Sequence, residues 1–239
     1  MNSETRLGTN KSEAHINYML NYFGAQKFDI NLAGNIAPNW YFSIGSFQNF
    51  DPGSKNLNYL KYQDRTQIYK GVLTHRWHED RGEISLILKY ADNMYSTDNK
   101  GPFIYVGDGS VKLMDGFNLG HDSYMPYDGL ITYQDIVSGE ILTRDVYDMN
   151  HSYSNEIGLS AKYNFRNSSL LKFNLRYKHA HSNCTSNSLT GLTYVDQTTG
   201  YTSSDGTPYE GNVQNRYSLY YQGRVNDLLG TLEYIQQFN

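Results

Sequence analysis

Two histidine pairs in this chain have spacings at which imidazoles can share a metal ion: His75 and His78 flank Arg76-Trp77, and His179 and His181 flank Ala180. On an extended strand successive side chains point to opposite faces, so His75 and His78 need a turn between them to meet. His179 and His181 share a face, but no further ligands stand out nearby, and a metal site needs them. Histidines at the ends of a hairpin, near an interface, are the plainer reading of both pairs. Gly107-Asp108-Gly109-Ser110 lacks the Gly-Lys-Ser/Thr ending of a phosphate loop and reads as a tight turn. Asn150-His151-Ser152 and Asn183-Cys184-Thr185 match glycosylation sequons, which recur by chance. No serine sits in a nucleophile elbow. Glu83, Lys89, Lys162, Lys172 and Arg176 fall on the polar sides of alternating segments and read as the lining of a watery interior rather than as acid–base pairs. The chain is therefore expected to be no enzyme, with no catalytic residue, metal or cofactor. The remaining candidates are aromatic residues of a long connection, about 92–152: Tyr95, Phe103, Tyr105, Phe117, Tyr124 and Tyr127, set among Gly, Asp and Asn. Long connections are usually functional or disordered. Such rings could stack on a sugar, a siderophore ring or a peptide, or could hold the loop together.

The elements that must position these residues are strands. In 154–181, Ile157, Leu159, Ala161, Tyr163 and Phe165 alternate with Glu156, Gly158, Ser160, Lys162 and Asn164. After the break at 166–169, Leu171, Phe173, Leu175 and Tyr177 alternate with Lys172, Asn174, Arg176 and Lys178. That is a period-2 hairpin with one apolar and one charged face. The pattern recurs around 16–22, 27–36, 40–47, 68–77, 83–90, 216–225 and 228–234, giving nine expected strands and no helical stripe. Connections at 37–39, 78–81, 166–169 and 226–227 are short. Those near 51–66, 92–152 and 182–213 are long and rich in Gly, Asp, Asn, Ser, Thr and Tyr. Only the short first connection, 24–26, breaks the alternation of long and short.

Composition narrows the classes. The 239 residues carry a net charge of −4 without a basic block, which disfavours nucleic acid. The single cysteine excludes an internal disulfide framework. No apolar run reaches the ~18 residues of a membrane helix, and the opening "MNSETRLGTNKSEAH" reads as no signal peptide. Twenty-three Tyr, ten Phe and two Trp form a heavy aromatic load that suits strands and interfaces.

Alternation alone leaves the apolar face either in a core or against lipid. The strands run to about 10–13 residues, longer than the roughly 5–6 of soluble sheets and close to the length of membrane strands. Short turns on one side and long loops on the other, with aromatics gathered near the short turns, point to lipid. Leu86, Leu88, Leu159, Phe173 and Leu219 are then expected on the outer face, and Lys89, Lys162, Lys172 and Arg216 on the inner one. An odd count of nine would put the first and last strands parallel, so the sheet is expected to stay open at two edges.

"NWYFSIGSFQNFDPG", "QIYKGVLTHRW" and "GEISLILKYADNMY" resemble successive strands of TonB-dependent outer-membrane receptors, most of all those of Bacteroidetes type. The residues that carry the resemblance are Trp40 to Phe47, Asp51 to Gly53 and Lys89 to Asp92, and the hairpin Asn155–Tyr177 is similar to a barrel hairpin of that family. The resemblance implies an outer-membrane protein that captures a scarce or large nutrient, a siderophore, cobalamin, glycan or peptide, and releases it when the TonB complex pulls on a plug. It also implies a signal peptide, a TonB-contacting box, a plug and about 22 strands. The chain is thus expected to be a partial barrel over 1–239, lacking the plug, with outer-membrane lipid as its surroundings. A passive porin-like or adhesive barrel and a soluble carbohydrate-binding module are the alternatives.

Overall fold

The structure is a computed structural model described for residues 8–55, 57, 60–96, 103–113, 118, 121, 128–145, 150–166, 169–203 and 205–236, by backbone alone at 104, 186–192 and 214–219. Its strands are β1 (Glu13–Leu20), β2 (Gln26–Ala37), β3 (Trp40–Asp51), β4 (Asp64–Trp77), β5 (Gly82–Tyr95), β6 (Phe103–Tyr105), β7 (Val111–Leu113), β8 (Leu130–Gln134), β9 (Ile141–Asp145), β10 (His151–Asn164), β11 (Leu170–Val195) and β12 (Gly211–Ile235). Eight of them form one antiparallel sheet in the order β1-β2-β3-β4-β5-β10-β11-β12. The pairs β6-β7 and β8-β9 are small separate hairpins inside the connection 96–150. Periodicity missed them because each strand is only three to five residues long.

Register follows the alternation. Leu73, Leu86, Leu159 and Leu175 stand in one cross-strand row, and Gly71, Leu88, Ile157 and Tyr177 in the next. The rows between them join Val72, Ile87, Gly158 and Arg176 on the opposite face. A one-residue slip would exchange the faces completely, so this patterning specifies the register.

Two expectations are corrected. Asn226-Asp227 is no turn: it pairs with His179 and Lys178 in the middle of β12, so there are eight sheet strands rather than nine. The apolar parity changes there while the strand stays paired, and the alternation alone cannot tell that from a reversal. Val225, opposite Ala180, accordingly shares the parity of Asp227 and not that of Leu228. With eight strands β1 and β12 run antiparallel, so strand parity is no obstacle to their pairing. Even so, among the described residues β1 bonds only to β2 and β12 only to β11, leaving the sheet open.

The turns at 78–81 and 165–169 lie at the same end, where Asn164 N donates to Arg81 O at 2.8 Å. At the other end, β11 and β12 outrun their neighbours. β10 begins opposite Met94 and pairs with β11 only as far as Ser182, while β11 and β12 stay paired to Val195 and Gly211. The hairpin therefore projects some 13 residues past Ser182, about 43 Å at a rise of ~3.3 Å per residue. Its base is fastened by the two sequon asparagines. His151 N donates to Asn183 Oδ1 at 2.8 Å, and Thr185 N donates to the buried Asn150 Oδ1 at 3.1 Å.

Candidate functional site

The sheet has one enclosed and one open face. On the enclosed face Thr74 is 0% exposed, Ser85 2% and Glu83 6%, beside the small apolar residues Val72 and Ala33 at 4%. The apolar face is open, with Leu88 50% and Ile157 47% exposed, and Leu32, Ile44, Leu73, Ile84, Leu86, Leu175, Leu228 and Leu232 exposed beside them. Side chains converge on the inner side of a curved sheet and fan apart on its outer side, and the polar face, the more enclosed of the two, is accordingly called the concave or inner face. Leu86 and Leu88 lie on the outer face as expected, and cross-strand pairing sets Leu159 opposite Leu86 and Phe173 opposite Ala161 on that same face. Lys89, Lys162 and Lys172 lie on the other. Leu219 and Arg216 fall where only the backbone is described.

Aromatic rings border the outer face at both ends. Toward the short turns, Trp40 packs on His75 with ring centroids 4.5 Å apart, His75 stacks on Trp77 at 5.9 Å, and Tyr163 meets Phe165 edge-on at 4.9 Å. Toward the long loops, Tyr18 lies on Phe28 at 4.8 Å, Tyr69 stacks on Tyr90 at 6.3 Å, and Tyr153 contacts His151, His179 and His181. Eight residue steps separate Tyr69 from Trp77 and ten separate Tyr153 from Tyr163. These spans are about 26–33 Å along a strand, or about 20–25 Å across the layer for a tilt near 40°. Between the belts, Ile44, Tyr69, Leu88, Tyr90, Ile157 and Tyr177 border an apolar trough of about 640 Å³ over Gly71.

The concave face is a network of paired charges. Glu83 accepts from Arg76 Nε at 2.8 Å and Lys162 Nζ at 3.2 Å, and Arg76 also lies 4.6 Å over the Tyr41 ring. Arg176 pairs with Asp227 at 2.8 Å and Lys172 with Glu233 at 3.7 Å. Thr74 and Ser85 share a hydrogen bond at 2.8 Å, and Ser160 Oγ donates to Asn174 Oδ1 at 2.8 Å. Glu83, Lys162, Lys172 and Arg176 thus share one face of the sheet and form ion pairs on it. Lys89 stands between Lys70 and Glu156 in the register.

The histidines separate by role. His75 is stacked between two tryptophans, while His78 lies against Tyr163, so they share no site. His179 Nδ1 is 2.7 Å from Asn226 Oδ1. His151, which no sequence motif singles out, joins the other pair around Tyr153 and holds Asp92 at 3.1 Å. Only the register reveals this, by placing Tyr153 opposite both Asp92 and His181. Among the described residues, no group of three or more His, Cys, Asp or Glu is placed to hold a metal ion.

The loop aromatics do not assemble into one site among the described residues. Tyr95 ends β5, and Phe103 and Tyr105 lie exposed in β6 opposite Leu113 and Val111. Phe117, Tyr124 and Tyr127 lie outside the described residues. The neighbouring β8-β9 hairpin leans on the projecting strands: Arg144 sits 5.1 Å over the Tyr220 ring and donates to Tyr133 Oη at 3.4 Å. Its tip presents Ile136 and Val137 at 99% and 92% exposure. Aspartates shape these loops. Asp108 accepts from Ser110 N, Asp135 from Val137 N and Ser138 N, Asp196 from Thr198 N and Asp205 from Thr207 N, at 2.8–3.0 Å. Those bonds stabilise the ionised carboxylates and hold all four below the usual aspartate range, led at Asp135 by Ser138 and at Asp196 by the Thr198 hydroxyl. Comparison with known proteins returns no matching family, no matching curated protein and no matching solved structure.

Proposed function

We propose that this chain is a stretch of barrel wall from a bacterial outer-membrane receptor that takes up a scarce or large nutrient by TonB-coupled transport. The observation that supports the reading is the burial: the sheet encloses Thr74, Ser85 and Glu83 and leaves Leu73, Leu86, Leu88 and Leu175 of its other face 37–50% exposed, as a sheet with apolar solvent on that side would. Soluble monomers rarely expose apolar patches beyond a few hundred Å². The spacing of the two aromatic belts suits the ~25 Å apolar band of outer-membrane barrels, and the division into short turns and long loops suits their topology. Strands leave no backbone group unpaired in lipid except at a sheet edge, so β1 and β12 call for further strands or for each other. Energy coupling rests on the resemblance. Its stretch Trp40 to Phe47 lies within β3, its acidic glycine step is a turn in which Gly53 N donates to Asp51 Oδ1 at 2.8 Å, and Lys89 to Asp92 leads out of β5 into the longest connection. The partners so implied are outer-membrane lipid, the TonB complex acting through a plug, and the nutrient. No catalytic step is assigned.

The test is expression of residues 1–239 without detergent, followed by size exclusion and circular dichroism. Aggregates that regain strand signal only in detergent micelles support the reading. A soluble, monomeric β-protein that melts cooperatively overturns it and favours a soluble carbohydrate-binding module. A globular plug encoded upstream in the same reading frame separates a coupled receptor from a passive or adhesive barrel.

A further inference from the structure

The concave face also holds a hollow of about 420 Å³ that the ion pairs leave unfilled. It opens over Gly158, where a side chain would meet Ile87 at 3.5 Å and the Leu175 carbonyl oxygen at 3.7 Å. Lys70, Lys89, Glu156 and Arg176 border it, with Ser160 and Asn174 below them. Lys70 stands directly opposite Lys89, and like charges facing each other across a sheet repel. Glu156 lies opposite Lys89 on one side and Lys178 on the other, so one carboxylate sits between two ammonium groups in the same row. Arg176 gives one guanidinium nitrogen to Asp227, yet its Nε is buried with no acceptor. A donor with no protein acceptor is ordinarily satisfied by ordered water or by a bound group. Lys89 and Arg176 thus border the hollow beside Glu156, with Lys178 on the far side of Glu156 in the same row.

We propose that this hollow binds a compact oxyanion, the carboxylate or phosphate group of a solute that enters along the polar face. An oxygen seated there accepts from Arg176 Nε and relieves the Lys70–Lys89 repulsion, while the Asn174 amide, one of whose N–H groups is engaged by Thr231 at 3.3 Å, has a second N–H to offer at its rim. Guanidinium and ammonium donors to an oxyanion make charge-assisted hydrogen bonds, the stronger class. The proposal adds a solute class to the membrane reading and rests on it in one respect, that the polar face is the wet one.

The experiment uses the full chain refolded into zwitterionic micelles, with strand content checked by circular dichroism before each titration. Inorganic phosphate, and separately citrate, is titrated by calorimetry at ionic strength matched with chloride. The expected result is saturable binding that weakens about tenfold or more in Lys89→Gln and in Arg176→Lys. Arg176→Lys keeps the charge and removes the Nε donor, and it carries the test should Lys89→Gln fail to refold. Lys112→Gln, on the exposed β6-β7 hairpin, is expected to bind as the parent does. A preference between the two probes tells which oxyanion the solute bears, and either preference supports the site. Folded protein that shows no binding beyond the chloride-matched control, or that loses it equally in all three variants, overturns the site while sparing the membrane reading. A chain that gains no strand signal in micelles overturns both.

Discussion

Replacing Leu86 with arginine sets lipid against water as the neighbour of the outer face. Leu86 lies four residues from Tyr90 in one aromatic belt and four from Gly82, which pairs with Trp77 in the other. It is therefore about 13 Å along the strand from each, midway between the two belts. Its cross-strand neighbours are Leu73 and Leu159, and it is 39% exposed. At the midplane of an outer-membrane protein an outward arginine costs about 2–4 kcal/mol. At an exposed position in water the same change is worth within about 0.5 kcal/mol. The difference corresponds to a shift of roughly one to three decades in the folded-to-unfolded ratio, well beyond measurement error. The assay is reversible guanidinium unfolding from lipid vesicles, followed by tryptophan fluorescence, with Ile136→Arg at the solvated β8-β9 tip as control. Leu86→Arg is expected to lower the unfolding free energy by about 2–4 kcal/mol and Ile136→Arg by less than about 0.5. Equal, small effects of the two changes would refute the lipid-facing assignment of the sheet.

Glu83→Gln strands Arg76 and Lys162 beside a neutral amide. Both cations keep some contact with water, so the expected loss is about 1–3 kcal/mol in the same unfolding assay, less than for a fully buried pair. Gly82→Ala puts a methyl group into the Trp77 ring and is expected to displace it, shifting tryptophan emission in micelles, whereas Gly71→Ala, with open space around it, leaves emission unchanged. The depressed pKa of Asp135 means that its turn gains stability above the unfolded-state pKa and loses it as pH falls through the lower folded value. Amide exchange at Val137 and Ser138 is therefore expected to lose protection below about pH 4, and Asp135→Asn to remove that acid dependence.

The sheet was largely legible from period-2 alternation, because a strand with one apolar and one polar face separates its side chains by parity. The hairpin Asn155–Tyr177 and the turns at 78–81 and 166–169 were recognisable for that reason. Asn226-Asp227 misled because a polar pair beside a parity change looks like a reversal, although here the strand simply continues to its partners His179 and Lys178. The polar lining could be assigned to a face residue by residue, but its pairings could not. That Glu83 meets both Arg76 and Lys162 depends on a register across three strands, and Lys162 lies 79 positions further along the chain. The two sequon asparagines looked like modification sites or chance. Their role as fasteners at the base of the projecting hairpin exists only once β10 and β11 are side by side.

The connection 96–150 also divides the sheet in time. Every other pairing joins strands linked by a shorter connection, whereas β5 and β10 become neighbours only when this segment closes into a ring. Chain-closure entropy grows with the logarithm of length, so closing this segment costs roughly 2 kcal/mol more than closing a turn of about five residues. The two small hairpins within it shorten the effective path and reduce that cost in part. The sheet thus has a natural seam, with β1–β5 on one side and β10–β12 on the other, each able to zip from its own turns. On this count the two ribbons are expected to form before the row of leucines that crosses β5 and β10.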